Sequence, residues 1–140
     1  MKYYEATETI AADADRVWEV LRDVGAYADW DSGVEKVEGK LAEGEKLKVY
    51  SELNPGRGYP VKVTEVSPGR GMTWLGGMPL GLIKGVRTYR LAPAGDGATK
   101  FTMREEFSGP LLPLIWRTLP DFQPSFDTFA RGLKARAEHG

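Results

Sequence analysis

Arg87 and Glu105 are the two residues whose types and spacing best fit chemistry on a small molecule. A symmetric hairpin loop over residues 93–99 would place them opposite each other, because residues equidistant from the centre of a hairpin pair across it. A carboxylate can act as a general acid or base, and burial favours that role by raising its pKa. A guanidinium can polarise a carbonyl oxygen, although it would also oppose the rise in the carboxyl pKa.

The same hairpin register predicts which neighbours share their face of the sheet. Side chains alternate between the two faces of a strand, so every second pair lies on one side. The other pairs on this face are Gly85 with Phe107, Tyr89 with Met103, and Leu91 with Phe101. Two charges among such residues are costly unless they are matched. The pair is either a structural ion pair at the end of the sheet or a polar anchor for a ligand's carbonyl, hydroxyl or carboxylate.

The stretch 109–138 must supply the apolar surface that covers this face. Its large apolar residues recur at helical spacing and fall on one stripe: Ile115, Leu119, Phe122, Phe126, Phe129 and Leu133. Pro120 and Pro124 remove backbone hydrogen bonds and should bend or split the helix. We therefore predict a short segment near 111–119, a bend, and a long helix ending at about 137. The stripe by itself is also typical of an ordinary core helix.

The remaining elements follow from alternation, turn residues and caps. Asp13 is a suitable N-cap for a helix reaching about residue 23, and a second short helix is predicted at 26–30. Strands are predicted at 2–10, 34–38, 46–53, about 59–64, 72–76, 82–91 and 101–107. Short turns between consecutive strands indicate an antiparallel sheet, and the terminal helix lying on one face of it gives an α+β fold.

Composition restricts the function classes. The chain has 140 residues, as expected for one domain spanning 1–140, and 19 basic residues against 20 acidic ones argue against a nucleic-acid partner. It contains no cysteine, and its one histidine, His139, is almost terminal, so we expect neither a metal site nor a cofactor. Neither a signal peptide nor a membrane span is recognisable, which favours a cytoplasmic protein.

Motifs spread over nearly the whole chain carry a family resemblance. They are Ile10-Ala11-Ala12, Asp15 to Leu21, Asp23, Tyr27-Ala28-Asp29-Trp30, Val63 to Pro68, Trp74, Tyr89-Arg90-Leu91, Phe101 to Gly109 and Gly132-Leu133-Lys134. The sequence resembles the START/Bet v 1-like (SRPBCC) superfamily, in particular its polyketide cyclase/dehydrase-like branch. The resemblance implies a helix-grip fold: a seven-stranded antiparallel sheet curls around a long C-terminal helix, with two short helices after the first strand.

The resemblance also implies a largely apolar cavity between sheet and helix. Members bind lipids, hormones or polyketides, and some catalyse cyclisation or dehydration. Many relatives carry histidine at the strand position of Arg87, so a histidine-based acid/base role is not carried over to this chain.

Several residues are candidates for contact with a ligand in that cavity. Aromatic walls are expected from Trp30, Trp74, Trp116, Phe122 and Phe126, although aromatic residues at such spacing are often plain core. Phe129 of the helix stripe, and Tyr89 and Met103 beside Arg87 and Glu105, complete the predicted lining. Met78, Leu80 and Leu82 lie on a predicted loop, where they form either a flexible lip for ligand entry or packing against the helix bend.

Three functions remain open at this point. The preferred one is binding of a hydrophobic small molecule, either a lipid or a polyketide-like compound, because the resemblance implies an apolar cavity and catalytic histidine and cysteine are missing. The second is a cyclase/dehydratase-type enzyme in which Glu105 and Arg87 are the catalytic candidates. The third is a protein-interaction module whose cavity has collapsed.

Overall fold

Seven antiparallel strands form a single sheet in the computed structural model, which describes residues 2–139. The strands are β1 (Lys2–Ile10), β2 (Val34–Glu38), β3 (Lys46–Ser51), β4 (Gly58–Ser67), β5 (Gly71–Gly77), β6 (Lys84–Pro93) and β7 (Thr99–Ser108). Their order across the sheet is β1-β7-β6-β5-β4-β3-β2. Consecutive strands from β2 to β7 are neighbours, and β1 returns to pair with β7, which confirms the predicted α+β helix-grip architecture.

Two short helices follow β1, as predicted. Helix α1 spans Ala14–Arg22 and a 3₁₀ helix spans Val24–Asp29. The Asp13 side chain caps α1 by accepting a hydrogen bond from the Arg16 backbone N–H at 2.9 Å. This bond satisfies one of the backbone donors left free at a helix start.

The C-terminal stretch is split rather than merely bent. Helix α2 (Leu112–Ile115) runs into a 3₁₀ turn (Trp116–Thr118), and the long helix α3 (Gln123–His139) begins only after an extended link. Pro120 lies in the link and Pro124 in the first turn of α3, where its missing N–H costs little. The prediction of one stripe from Ile115 to Leu133 is therefore wrong in part, because Ile115, Leu119 and Phe122 all precede α3. Phe126, Phe129 and Leu133 of α3 are buried as predicted.

Strand β3 ends earlier and strand β6 begins later than predicted, whereas β4, β5 and β7 extend beyond their predicted limits. Strand β3 ends at Ser51 rather than at residue 53, because the Ser51 side chain and carbonyl accept hydrogen bonds from the next turn. Strand β6 begins at Lys84 rather than at 82, because the Met78 N–H bonds to the Ile83 carbonyl and closes the preceding loop. Its pairing then continues to Pro93, opposite Thr99.

Side chains tie the end of α3 to β1 and α1. Arg16 donates to the last-turn carbonyl of Ala137 at 3.3 Å, so its positive charge lies where the helix dipole favours a cation. The Glu138 carboxylate accepts from the Ala11 backbone N–H and from Lys134 Nζ, both at 2.7 Å. These contacts fix how α3 lies across the concave face of the sheet.

Gly132 lets α3 approach the turn after the 3₁₀ helix. A Cβ at this buried glycine would collide with the Asp31 carbonyl and lie 3.1 Å from the Trp30 ring. Glycine is thus required here for a close backbone approach rather than for an unusual dihedral angle.

Within residues 2–139, every helix is too short or too polar to cross a bilayer.

Candidate ligand-binding site

The predicted pairing of Arg87 with Glu105 is confirmed. The two residues are directly opposite on β6 and β7. Arg87 Nη2 lies 2.7 Å and Arg87 Nε 2.9 Å from Glu105 Oε1. Only 28% of the Arg87 side chain and 15% of the Glu105 side chain are exposed. The pair is therefore mostly removed from water, and each charge depends on the other for its stability.

Tyr89 and Phe126 hold the Arg87 guanidinium from two further sides. Arg87 Nη1 donates to the Tyr89 hydroxyl at 3.5 Å, and Arg87 Cζ lies 5.0 Å from the centre of the Phe126 ring. Burial acts to lower the pKa of Arg87, but attraction to Glu105 and the bond to Tyr89 outweigh it, so the pKa is raised. Burial also raises the pKa of Tyr89. The site thus keeps a fixed cation beside a protonated phenol.

Gly85 makes room for the second oxygen of Glu105. A Cβ at this buried position would lie 2.5 Å from Glu105 Oε2. Both hydrogen-bonding nitrogens of Arg87 approach Oε1, so among residues 2–139 the contacts of Arg87 leave Oε2 available as an acceptor. The arrangement can therefore accept a proton or a hydrogen bond at Oε2 while Arg87 donates to a neighbouring oxygen.

Four half-buried aromatic side chains lie at the same end of the sheet as the Arg87–Glu105 pair. We call them the entrance cluster: Tyr4, Phe107, Trp116 and Phe122. Tyr4 stacks on Trp116 at 5.8 Å between ring centroids and meets Phe107 edge-on at 6.0 Å. Phe107 in turn stacks on Phe122 at 6.3 Å. Tyr4 is also 5.8 Å from Phe126, whose ring carries Arg87. The cluster thus continues directly into the charged pair.

Four of the predicted cavity residues lie in the packed core instead: Trp74, Tyr89, Met103 and Phe129, each no more than 3% exposed. Tyr89 is 5.0 Å from Trp74 and 5.9 Å from Phe129, measured between ring centroids. Phe126 is also buried, at 2% exposure, although its ring contacts both Arg87 and the entrance cluster. The deep part of the sheet–helix interface is therefore filled by side chains, as the plain-core alternative expects for Trp74 and Phe126.

Trp30 occupies a different position from the other candidates. It packs on Tyr27 and Phe129, at 5.4 and 5.2 Å between ring centroids. It also borders a surface depression of about 390 Å³ whose lining includes Arg16, Glu19, Val20, Arg22, Asp23, Ala26 and Arg136. This mostly charged lining suits a hydrophobic ligand poorly. The structure therefore does not bring Trp30 into the group formed by Arg87 and the entrance cluster.

Met78 lies on the exposed loop between β5 and β6, with 43% of the residue accessible. The same loop exposes Leu80 almost completely and Leu82 in part. Its backbone is attached to the start of the α2 segment, where the Leu111 N–H donates to the Leu82 carbonyl at 3.1 Å. The loop backbone thus packs against the start of the α2 segment, whereas its apolar side chains face solvent.

Tyr4, Phe107 and Gly85 were not among the candidate ligand contacts derived from the sequence. The hairpin register already placed Gly85 and Phe107 on the face of Arg87, so that signal was present. Tyr4 joins them because β1 pairs with β7, with Tyr4 directly opposite Glu105. This contact joins residues that are far apart in the sequence, so it could not be predicted from local alternation. Among the described residues, His, Asp and Glu side chains form no group of three suited to a metal ion.

Comparisons with solved structures agree with the observed fold. The Zhui aromatase/cyclase from Streptomyces sp. R1128 has a TM-score of 0.74 and 19% identity, covering 98% of this chain and 93% of its own. Norcoclaurine synthase from Thalictrum flavum has a TM-score of 0.70 and 19% identity, and the match covers 99% of this chain and 87% of the synthase chain. The di-domain ARO/CYC BexL of the BE-7585A biosynthetic pathway has a TM-score of 0.73 and 15% identity, and the match covers 99% of this chain and 47% of the BexL chain.

Sequence comparison gives the family. A search of curated proteins found no match. A family model described as polyketide cyclase/dehydrase and lipid transport matches residues 1–138. That match covers nearly the whole chain and confirms the START/Bet v 1-like (SRPBCC) resemblance recognised from the motifs. The chain belongs to the polyketide cyclase/dehydrase and lipid transport family.

Proposed function

We propose that this chain binds a hydrophobic small molecule between the sheet and the C-terminal helix, with the entrance cluster as its apolar surface and Arg87 and Glu105 as its polar anchor. The observation that carries the proposal is the position of the charged pair, which lies where half-buried aromatic rings meet the packed core. Ligand sites commonly combine aromatic walls with a few placed polar groups. Family membership supports the same class of function.

The charge of the anchor favours one of the two ligand classes considered from the sequence. Glu105 neutralises Arg87, so a ligand carboxylate such as that of a fatty acid would meet an opposing negative charge. A neutral ligand with adjacent carbonyl and hydroxyl groups would instead receive a hydrogen bond from Arg87 and donate one to Glu105 Oε2. A planar, polyketide-like aromatic compound also stacks on the entrance cluster. We therefore place polyketide-like compounds before lipids.

Native mass spectrometry of freshly purified protein is the first test, because a co-purifying hydrophobic molecule would be seen directly. Titration with the hydroxyanthraquinone emodin, followed by quenching of tryptophan fluorescence, then measures binding, since Trp116 belongs to the entrance cluster. Oleate serves as the lipid probe. We expect saturable binding of emodin that is tighter than that of oleate.

Gly85→Ala tests the anchor without changing its charges. The added Cβ would displace the Glu105 carboxylate, which is the far end of a flexible side chain, so the fold should tolerate the change. Gly76→Ala is a matched control, because Gly76 pairs with Gly85 across β5 and β6 and a Cβ there would lie 3.4 Å from its nearest neighbour. We expect weaker emodin binding for Gly85→Ala alone. Equal binding by the two variants would remove the anchor from the site.

The interaction module with a collapsed cavity is the outcome that would replace this proposal. It is supported by the tight packing of Trp74, Tyr89 and Phe129 in the core. Absence of a co-purifying molecule, together with no saturable binding of emodin or oleate, would favour it over small-molecule binding.

A cyclase/dehydratase-type reaction is the second candidate function. It rests on Glu105 Oε2, which lies beside a fixed cation and is not used by Arg87. Glu105 would remove a proton next to a carbonyl group, and Arg87 would stabilise the negative charge that develops on the carbonyl oxygen. Exchange of the methylene protons of 1-phenylbutane-1,3-dione in D₂O, followed by NMR, tests this step. We expect exchange above the buffer rate with the wild-type protein, and only the buffer rate with Glu105→Gln.

A further inference from the structure

Exposed apolar side chains are concentrated at one end of the molecule. We call the group formed by Met78, Leu80, Leu82 and Leu114 the leucine tip. Leu80 is 95% and Leu114 77% exposed, the two highest values among the large exposed hydrophobic residues. The β5–β6 loop and the α2 segment are adjacent, because the Leu111 N–H bonds to the Leu82 carbonyl and Gly109 packs against the same carbonyl. The tip is therefore one local patch contributed by two segments.

The conformation of Leu80 adds to its unusual exposure. Its φ of 63° lies in the left-handed region, which is unfavourable for a residue with a Cβ. Leu80 thus contributes neither a buried side chain nor a relaxed backbone to the folded state. Residues held against local preference are often retained for function.

Three basic residues lie beside the two segments that form the leucine tip. Lys84 and Lys2 are both exposed and lie at the same end of the sheet, opposite Ser108 and Phe107 of β7. Exposed Arg117 follows the α2 helix, and Lys2 Nζ is 5.5 Å from the centre of the Trp116 ring.

Acidic residues are absent from the sequence of both tip segments. None occurs between Glu65 and Asp96 or between Glu106 and Asp121. Glu106, at one limit, is paired with Arg104. Exposed leucines inside a basic rim match the two layers of an anionic membrane surface, which are negative headgroups and the acyl region below them.

We propose that the leucine tip docks the protein on the surface of an anionic lipid bilayer, with Leu80 and Leu114 inserted among the lipids and Lys2, Lys84 and Arg117 at the headgroups. A second copy of the chain fits the tip less well, because two identical basic rims facing each other would repel. Docking goes beyond the proposed function, since it requires neither Arg87 and Glu105 nor a bound ligand.

Sedimentation with vesicles tests the docking. The purified full chain is mixed with vesicles of equal parts phosphatidylcholine and phosphatidylglycerol, or of phosphatidylcholine alone. We expect binding to the mixed vesicles that weakens at high salt, because salt screens attraction between exposed charges. The double variant Leu80→Ser, Leu114→Ser should lose at least about tenfold in affinity. The double variant Lys84→Gln, Arg117→Gln should lose about fivefold in affinity for the mixed vesicles for each charge removed.

Leu53→Ser is the matched control, because Leu53 is 46% exposed but lies in the β3–β4 turn, outside the leucine tip. It should bind vesicles as the wild type does, and circular dichroism should show that all variants remain folded. Equal binding by Leu53→Ser and the leucine double variant, or no binding to anionic vesicles, would overturn the proposal. Concentration-dependent dimerisation that Leu80→Ser, Leu114→Ser abolishes would also overturn it in favour of a second copy as the occupant.

Discussion

Arg87 and Glu105 face each other across β6 and β7 and are joined by two contacts to one carboxylate oxygen, at 2.7 and 2.9 Å. Arg104, which precedes Glu105, points to the other face of the same strand and pairs with Glu5 at 3.2 Å. The Arg87–Glu105 pair is the less exposed of the two. Adjacent residues on one strand thus form ion pairs in two different environments.

The two ion pairs should differ in their energetic coupling. Arg87→Met or Glu105→Gln alone should lower the free energy of unfolding by about 2–4 kcal/mol, because each leaves a lone charge largely buried. The double variant leaves no such charge, so its loss should be smaller than the sum of the two single losses. Urea unfolding of the single and double variants measures the coupling. The corresponding set Glu5→Gln and Arg104→Met should be additive to within about 0.5 kcal/mol. Additive effects at Arg87 and Glu105 would contradict a coupled pair.

Gly132→Ala should destabilise the protein although alanine is the better helix former. The added Cβ would collide with the backbone carbonyl of Asp31, which cannot move as a side chain can. We expect a loss of about 1–3 kcal/mol, as is typical of overpacking. Thermal unfolding measures it. Gly25→Ala is the control, because a Cβ at Gly25 meets no atom within 4 Å, and an equal loss in both variants would refute the close approach as the cause.

Thr73 and Thr99 should respond oppositely to replacement by valine. Both side chains are buried, but Thr99 Oγ1 donates to the Ala12 carbonyl at 2.8 Å, whereas Thr73 Oγ1 has no hydrogen-bond partner among residues 2–139. Thr99→Val should cost about 1–3 kcal/mol because it leaves a carbonyl unpaired, and Thr73→Val should be neutral or stabilising by up to about 1 kcal/mol. Urea unfolding decides between these outcomes. A clear loss for Thr73→Val would indicate that its hydroxyl has a partner.

Glu138 should contribute a pH-dependent part of the stability. Its pKa is lowered below the ordinary 4.5, first by the hydrogen bond from the Ala11 N–H and then by Lys134. Because the folded-state pKa is the lower one, this stabilisation is present above pH 4.5 and is lost as the pH falls through the folded-state value. Glu138→Gln should therefore be less stable than wild type at neutral pH, with a difference that shrinks in acid.

Denaturant unfolding at several pH values checks this dependence. Glu52→Gln is the control, since Glu52 is an exposed residue of the β3–β4 turn. A stability difference for Glu138→Gln that stays constant from neutral pH into acid would contradict a role for the ionised carboxylate.

The sequence alone determined the succession of elements along the chain, the final hairpin and the position of the charged pair. These features depend on short-range patterns: alternation with a period of two, turn residues at 93–99, and equal spacing from the loop centre. Arg87 and Glu105 could therefore be placed opposite each other from local information. The split of the C-terminal stretch was also predictable from Pro120 and Pro124, because a proline ring removes a backbone N–H wherever it occurs in a helix.

Only the tertiary structure decided which aromatic residues remain accessible. Trp74, Tyr89, Trp116 and Phe122 were all candidate ligand contacts from the sequence, but the first two are buried in the core and the last two belong to the entrance cluster. The entrance cluster depends on the pairing of β1 with β7, which brings Tyr4 opposite Glu105. A contact between residues so far apart in the sequence follows from collective packing rather than from local preference. Local patterns therefore cannot separate cavity walls from core.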